Sequence, residues 1–173
     1  MDMLFRNMNL VLLVIGVIAV LVLYRWVLWL FGVIIVPDDS IAIVTKKFVL
    51  FGSHRRLVDG HILALQGEAG YQAETLAPGL HLALWPWQYV VKMQKFTSIP
   101  MGKIGLVEAC DGQPLPSGRI VARRVQCNSF QSARAFLEGG GERGPQIDVI
   151  PPGSYRINPL LFSVKLADAV SVP

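Results

Sequence analysis

Leu10 to Val36 reads LVLLVIGVIAVLVLYRWVLWLFGVIIV and contains one charge, Arg25. At about 1.5 Å rise per residue, such a run used as a helix exceeds the roughly 30 Å hydrocarbon core of a bilayer. It is apolar on every side, and the 137 residues that follow are too few to surround it, which argues against a core helix. A cleaved leader fits no better, because the apolar stretch continues through Leu21, Val22 and Leu23 into Tyr24 and Trp26 instead of reaching a small-residue cleavage site. The run therefore reads as a transmembrane anchor over residues 10–36 behind a tail over 1–9. Two geometries remain open: one long tilted span, or a span over Leu4–Tyr24 followed by an interfacial segment over Arg25–Phe31. Arg25, Trp26 and Trp29 suit the headgroup level, where arginine costs little and indole rings are favoured.

The rest of the chain is compositionally ordinary, since the 53% hydrophobic content is raised by the anchor. The net charge of +4 comes from scattered residues and three short pairs, Lys46-Lys47, Arg55-Arg56 and Arg123-Arg124, which read as solvated faces or contacts to anionic headgroups. No basic cluster with interleaved aromatics appears, so nucleic acid is not an expected partner. Cys110 and Cys127 lack both metal-ligand and C-x-x-C spacing and read as buried or free thiols. Arg6 alone precedes the run, with Asp2 beside it, whereas Lys46, Lys47, Arg55 and Arg56 follow within about 20 residues of its end. That bias expects a cytoplasmic C-terminal region.

Beyond Pro37, where a helix cannot continue, alternating and β-branched segments predict strands near 40–50, 61–65, 71–76, 80–85 and 89–96, with turns at 52–56 and Pro78-Gly79. The pattern then restarts. Val36-Pro37 with Ile41-x-Ile43-Val44 matches Ile99-Pro100 with Ile104-x-Leu106-Val107. Gly67-Glu68-x-Gly70-x-Gln72-x-Glu74 matches Gly141-Glu142-x-Gly144-x-Gln146-x-Asp148, and Pro78-Gly79 matches Pro152-Gly153. The first block recurs at a spacing of 63 and the second at 74, so the second unit carries 11 extra residues, assigned to Asp111–Gly118 and the helix after it. That helix is predicted with Ser129 as its cap, Phe130, Ala133, Arg134 and Leu137 on related faces, and Gly139-Gly140-Gly141 as its stop. Further strands are expected near 147–150, 155–157 and 161–166. The fold class is α+β: a transmembrane helix followed by two tandem strand-rich modules, over 37–98 and 99–173.

The ordered motifs resemble the stomatin/prohibitin/flotillin superfamily, also called SPFH or band 7 proteins. The resemblance rests on the anchor running into Val36-Pro37, the Ile41–Val44 strand, and Ala77-Pro78-Gly79-Leu80-His81 leading to Trp85-Pro86. In the second unit Asp111-Gly112 with Pro114-Leu115-Pro116 and Gly118, Phe130 to Gly140, Gly144-Pro145-Gln146, and Pro152-Gly153 with Tyr155–Pro159 are similar to bacterial flotillin-like members. The resemblance implies SPFH-like modules lying against the bilayer, a large ring- or cage-forming homo-oligomer that organises a membrane microdomain, and no catalysis or cofactor. It also allows an accessory subunit that regulates a membrane protease or a small membrane partner. A bacterial inner-membrane location follows from the same resemblance. Family members continue into a long helical region, so the chain is expected to extend beyond Pro173.

Chemistry-bearing patterns are thin. Gly139-x-Gly141-x-x-Gly144 has dinucleotide-binding spacing, but it follows a helix and leads to Pro145, so no helix N-terminus faces a phosphate. His54, His61 and His81 lie in the first unit and both cysteines in the second, no nucleophile elbow surrounds a serine, and no spacing favours a metal. Asp38-Asp39 and Glu138/Glu142 read as turn and surface residues. The soluble segment that stands out is Leu80–Trp87, LHLALWPW, in which Leu82, Leu84, Trp85 and Trp87 suit a membrane interface. The competing reading places both tryptophans in the module's own core.

Overall fold

The structure is a computed structural model that describes residues 2–50, 57 and 60–169, with residues 2–10 described as backbone only. A long helix, α1 (Asp2–Leu30), opens the chain, and its Val11–Leu30 stretch is long and apolar enough to cross a membrane. The helix stops six residues short of the expected anchor end at Val36, and glycine decides where. Gly32 adopts φ +59, its N–H donates to Trp29 O at 3.1 Å, and the Val33 N–H reaches back to Leu28 O at 3.1 Å. That pair of bonds caps the last carbonyls with a left-handed residue that glycine adopts without strain. Ile34–Val36, apolar enough to extend the anchor on composition, instead forms strand β1.

The remaining strands are β2 (Ser40–Lys46), β3 (Leu63–Ala64), β4 (Gly70–Leu76), β5 (Gly79–His81), β6 (Tyr89–Lys95), β7 (Thr97–Ile99), β8 (Lys103–Ala109), β9 (Gly144–Ile150), β10 (Gly153–Tyr155) and β11 (Phe162–Asp168). With α1 and one short helix they make a mixed α+β fold. The expected turn at 52–56 lies outside the described residues. The first half builds a sheet of order β3-β4-β2-β6 and a ribbon β1-β5; the second builds β11-β8-β9 and a ribbon β10-β7.

Pairing in the halves corresponds residue by residue. Ile43 faces Thr75 and Thr45 faces Tyr71 across a bulge; 63 and 74 residues later, Leu106 faces Val149 and Glu108 faces Pro145 across the same bulge. The Gln72 amide donates to the Glu68 and Gly70 carbonyls at 2.9 and 3.1 Å, and the Gln146 amide donates to the Glu142 and Gly144 carbonyls at 2.8 and 2.9 Å. The Glu-x-Gly-x-Gln motif is thus a strand-entry clamp: glycine takes the positive φ that starts the strand, at +127 and +99, and glutamine holds the turn beneath it.

The halves meet in a shared cluster, while Val36, Ile41, Ala42, Ile43, Val44 and Ala64 of the first half are buried outside it. Leu63 and Ala73 of the first lie in one apolar cluster with Ile99, Val107, Phe130, Phe136, Ile150, Leu161 and Phe162. The extra length of the second half lies between Ala122 and Gln146, 24 residues apart where Ala64 and Gln72 are 8 apart, and not at Asp111–Gly118; it supplies part of the joint. Its helix, α2 (Ala133–Glu138), is shorter than predicted and capped by Ser132, whose Oγ accepts the Ala135 N–H at 3.2 Å. Ser129 cannot cap it, because Asn128, Ser129 and Phe130 all sit at positive φ (53, 51 and 62) and so lie outside the helix. This left-handed turn brings buried Phe130 edge-on to Phe162, with ring centroids 5.2 Å apart. Arg134 on α2 reaches Glu74 on β4 at 2.5 Å. Asp111, fully buried, accepts the Ile62 N–H at 2.7 Å, the Leu63 N–H at 3.0 Å and the Gly112 N–H at 2.7 Å, and lies 3.2 Å from His61 Nδ1. A buried carboxylate is tolerable when its lone pairs are filled in this way.

Candidate membrane interface

The C-terminal end of α1 is fastened to the β5–β6 connection by backbone. The Ala83 N–H donates to Phe31 O and the Leu84 N–H to Gly32 O, both at 3.1 Å. A β-carbon on Gly32 would stand 2.6 Å from the Leu84 carbonyl carbon and 2.7 Å from the Leu84 and Trp85 nitrogens. The glycine therefore serves twice, allowing the left-handed stop and letting two backbones touch. The segment picked out by sequence as interfacial is held against the end of the apolar helix, with no free linker between them.

Arg25, Trp26 and Trp29 occupy the last turns of α1, and the two indoles meet edge-on at 6.0 Å. Leu82, Trp85 and Trp87 are exposed, and Leu84 is half-buried beneath the helix end. Trp85 and Trp87 stack at 5.8 Å with their planes 19° apart, and Phe48 approaches Trp87 at 5.8 Å. Their exposures, 36% and 42%, put them at the surface and outside the core cluster. Buried Gln88 supports the turn: its backbone N–H donates to Trp85 O at 2.9 Å, its carbonyl accepts the Lys47 N–H at 2.8 Å, and its amide reaches Phe48 O at 3.3 Å. Lys47 Nζ donates to Pro86 O at 3.1 Å.

Phe31 and Leu80, at the edges of the segments singled out by sequence, are exposed on this surface, and two exposed apolar residues from outside those segments join it: Ile35 and Phe48. Ile35 and Leu80 face each other in the β1–β5 ribbon. Ile35 was hidden inside the apolar run, where nothing distinguishes an anchor residue from a strand residue that points outward. Its pairing partner lies 45 residues away, beyond the reach of local periodicity.

Elsewhere, polar clusters serve the fold. Glu142 is buried; its carboxylate accepts the Arg123 N–H at 3.0 Å and pairs with Arg119, and these hold its pKa below the usual carboxylate range against the opposing effect of burial. Its placement corrects the surface reading of the sequence, because Gly141 and the strand entry at Gly144 draw it under the Arg119–Arg123 loop. Cys127 is buried and its thiol pKa is raised by desolvation, whereas Cys110 is exposed. His81 Nε2 contacts Ala77 O at 2.8 Å, as a structural residue would. Among the described residues no cluster of His, Cys, Asp and Glu could hold a metal ion. Comparison with protein-family models, curated proteins and solved structures finds no match.

Proposed function

We propose that this chain is a single-pass membrane scaffold of SPFH type, assembling into a large homo-oligomeric ring or cage that organises a membrane microdomain. Its two tandem modules lie against the bilayer, in the cytoplasm of a bacterium beneath the inner membrane. Binding and positioning are its work; no catalytic role is assigned.

The carrying observation is the apolar surface of Phe31, Ile35, Leu80, Leu82, Trp85 and Trp87 fastened to the end of a membrane-length helix. Exposed apolar groups gathered in one place and rimmed by polar chain mark an interaction site. Here the adjoining helix supplies the bilayer, and paired indoles favour its headgroup level. With the helix end bonded to Ala83 and Leu84, the modules have little freedom to leave the surface. Identical anchors restrict all copies to one plane, which favours lateral assembly.

Imaging of the full chain, solubilised and purified, tests the reading. A closed ring or cage without other subunits is the expected result, a co-purifying protease points to the regulatory alternative, and monomers at all concentrations sink both. Contact with lipid is read separately in vesicles: with Trp26 and Trp29 replaced by Phe, fluorescence of Trp85 and Trp87 should be quenched by brominated lipid.

A further inference from the structure

The surface on which the halves meet can be traced through their common register. Among the described residues, Leu63 and Ala73 are the first-half members of the shared core cluster, the Asn158 amide donates to the Ala73 carbonyl at 3.1 Å, and Arg134 pairs with Glu74 beside it. Ala64 faces Gln72 in a parallel pairing, and Ala122 faces Gln146 in the same sense. Val121 therefore stands where Leu63 stands, and Ile147 where Ala73 stands.

Burial then parts company with residue type. Leu63 and Ala73 are 2% and 1% exposed, whereas Val121 and Ile147 are 40% and 59% exposed and no less apolar. Leu106 and Val149, opposite each other on β8 and β9, are exposed on the same sheet face as Ile147 and extend the apolar patch; Ile43, the counterpart of Leu106, is buried outside the shared cluster. The second half thus carries an unfilled version of the surface by which the first half receives it. Two stacked repeats leave one receiving surface open at one end and one docking surface open at the other. Joined between copies, such ends give a head-to-tail contact that closes into a ring when the rotation permits.

We infer that Val121, Ile147, Leu106 and Val149 form a receiving surface for the first half of a second copy of this chain. The occupant follows from the surface itself, which repeats one that this chain already fills with its own module. The inference rests on the scaffold reading and gives it a specific contact.

The test compares the full chain with V121E/I147E in detergent, without a bilayer, by sedimentation velocity and mass photometry. Both positions point outward, so the melting curve should match wild type, and Met101→Glu, at the most exposed apolar residue described, is the charge control. The assembled fraction at fixed concentration should fall at least about ten-fold in V121E/I147E and stay unchanged in the control, as expected when charges enter an apolar contact. Wild-type assembly in a folded V121E/I147E overturns this surface and leaves the scaffold reading standing; a wild type that is monomeric throughout overturns both. Should the glutamates unfold the chain, V121A/I147A replaces them, with a smaller loss of assembly expected and assembly equal to wild type again overturning the surface.

Discussion

The two ribbons, β1–β5 and β7–β10, share a register and differ in what they show to the outside. Val36 faces Gly79 and Ile99 faces Gly153, with Val36 and Ile99 both buried. One step along, Ile35 faces Leu80 in the first ribbon and Ser98 faces Ser154 in the second, and all four are exposed. The turn that follows repeats the contrast: Gln88 and Tyr89 N–H groups bond Trp85 O, and Leu161 and Phe162 N–H groups bond Asn158 O. A tryptophan at the surface beside the end of α1 thus occupies the position of a buried asparagine that ties the halves together. Positions that make the fold keep their chemistry between the halves, and positions that meet the surroundings change with them. The second ribbon serves as an internal control, showing that this fold does not itself require apolar groups on the outer side.

That contrast can be broken at its joint first. Asp111→Ala removes the acceptor for the Ile62, Leu63 and Gly112 N–H groups, leaving buried donors unpaired. A loss of about 3–5 kcal/mol is expected, measured by denaturant unfolding. If the halves were independent, the transition would change little. Next, Ile35→Ser with Leu80→Ser copies the second ribbon onto the first. The melting curve should hold, while quenching of Trp85 and Trp87 by brominated lipid falls, because each large apolar side chain withdrawn from lipid forfeits about 1.5–3 kcal/mol. Unchanged quenching would detach the ribbon from the membrane. Gly32→Ala places a β-carbon against Leu84 at a positive φ, and about 1–3 kcal/mol of stability should be lost, with faster proteolysis near residue 84 reporting the loosened joint.

Smaller effects sharpen the second half. Ser132→Ala should cost about 1 kcal/mol and Ser129→Ala close to nothing, read as a difference in thermal midpoint. Equal costs would return the cap to Ser129. Least of all, Glu142 has a folded pKa below its unfolded value of about 4.3, so its contribution is full above that pH and is lost as pH falls through the folded value. Arg119 is exposed, so solvent screens the pair. Melting between pH 7 and pH 3 should lose part of its acid sensitivity in Glu142→Gln.

The resemblances within the chain were legible because each rests on a local requirement. Gly70 and Gly144 must take positive φ, Gln72 and Gln146 must reach the turn beneath, and the 11-residue difference between the spacings follows from counting. The bulged register that makes the two halves equivalent was foreshadowed by those motifs. The end of the apolar helix was not legible from proline alone, since Gly32 acts as a helix stop earlier and Ile34–Val36 needed a distant partner to become a strand. The cap of α2 was misplaced by three residues because nothing local announces three consecutive left-handed residues. Of the interface, the sequence picked out Arg25, Trp26, Trp29, Leu82, Leu84, Trp85 and Trp87 within the segments Arg25–Phe31 and Leu80–Trp87, and only folding added Ile35 and Phe48 beside them.

By itself, then, the sequence determined a membrane-length helix, a strand-rich remainder and a repeat, because hydropathy, β-propensity and glycine placement act over a few residues at a time. The tertiary structure decided which apolar residues are core and which are surface. Leu63 and Val121, or Ala73 and Ile147, are apolar alike on paper. Burial belongs to what packs against a residue, and that is fixed by contacts between segments far apart in the chain.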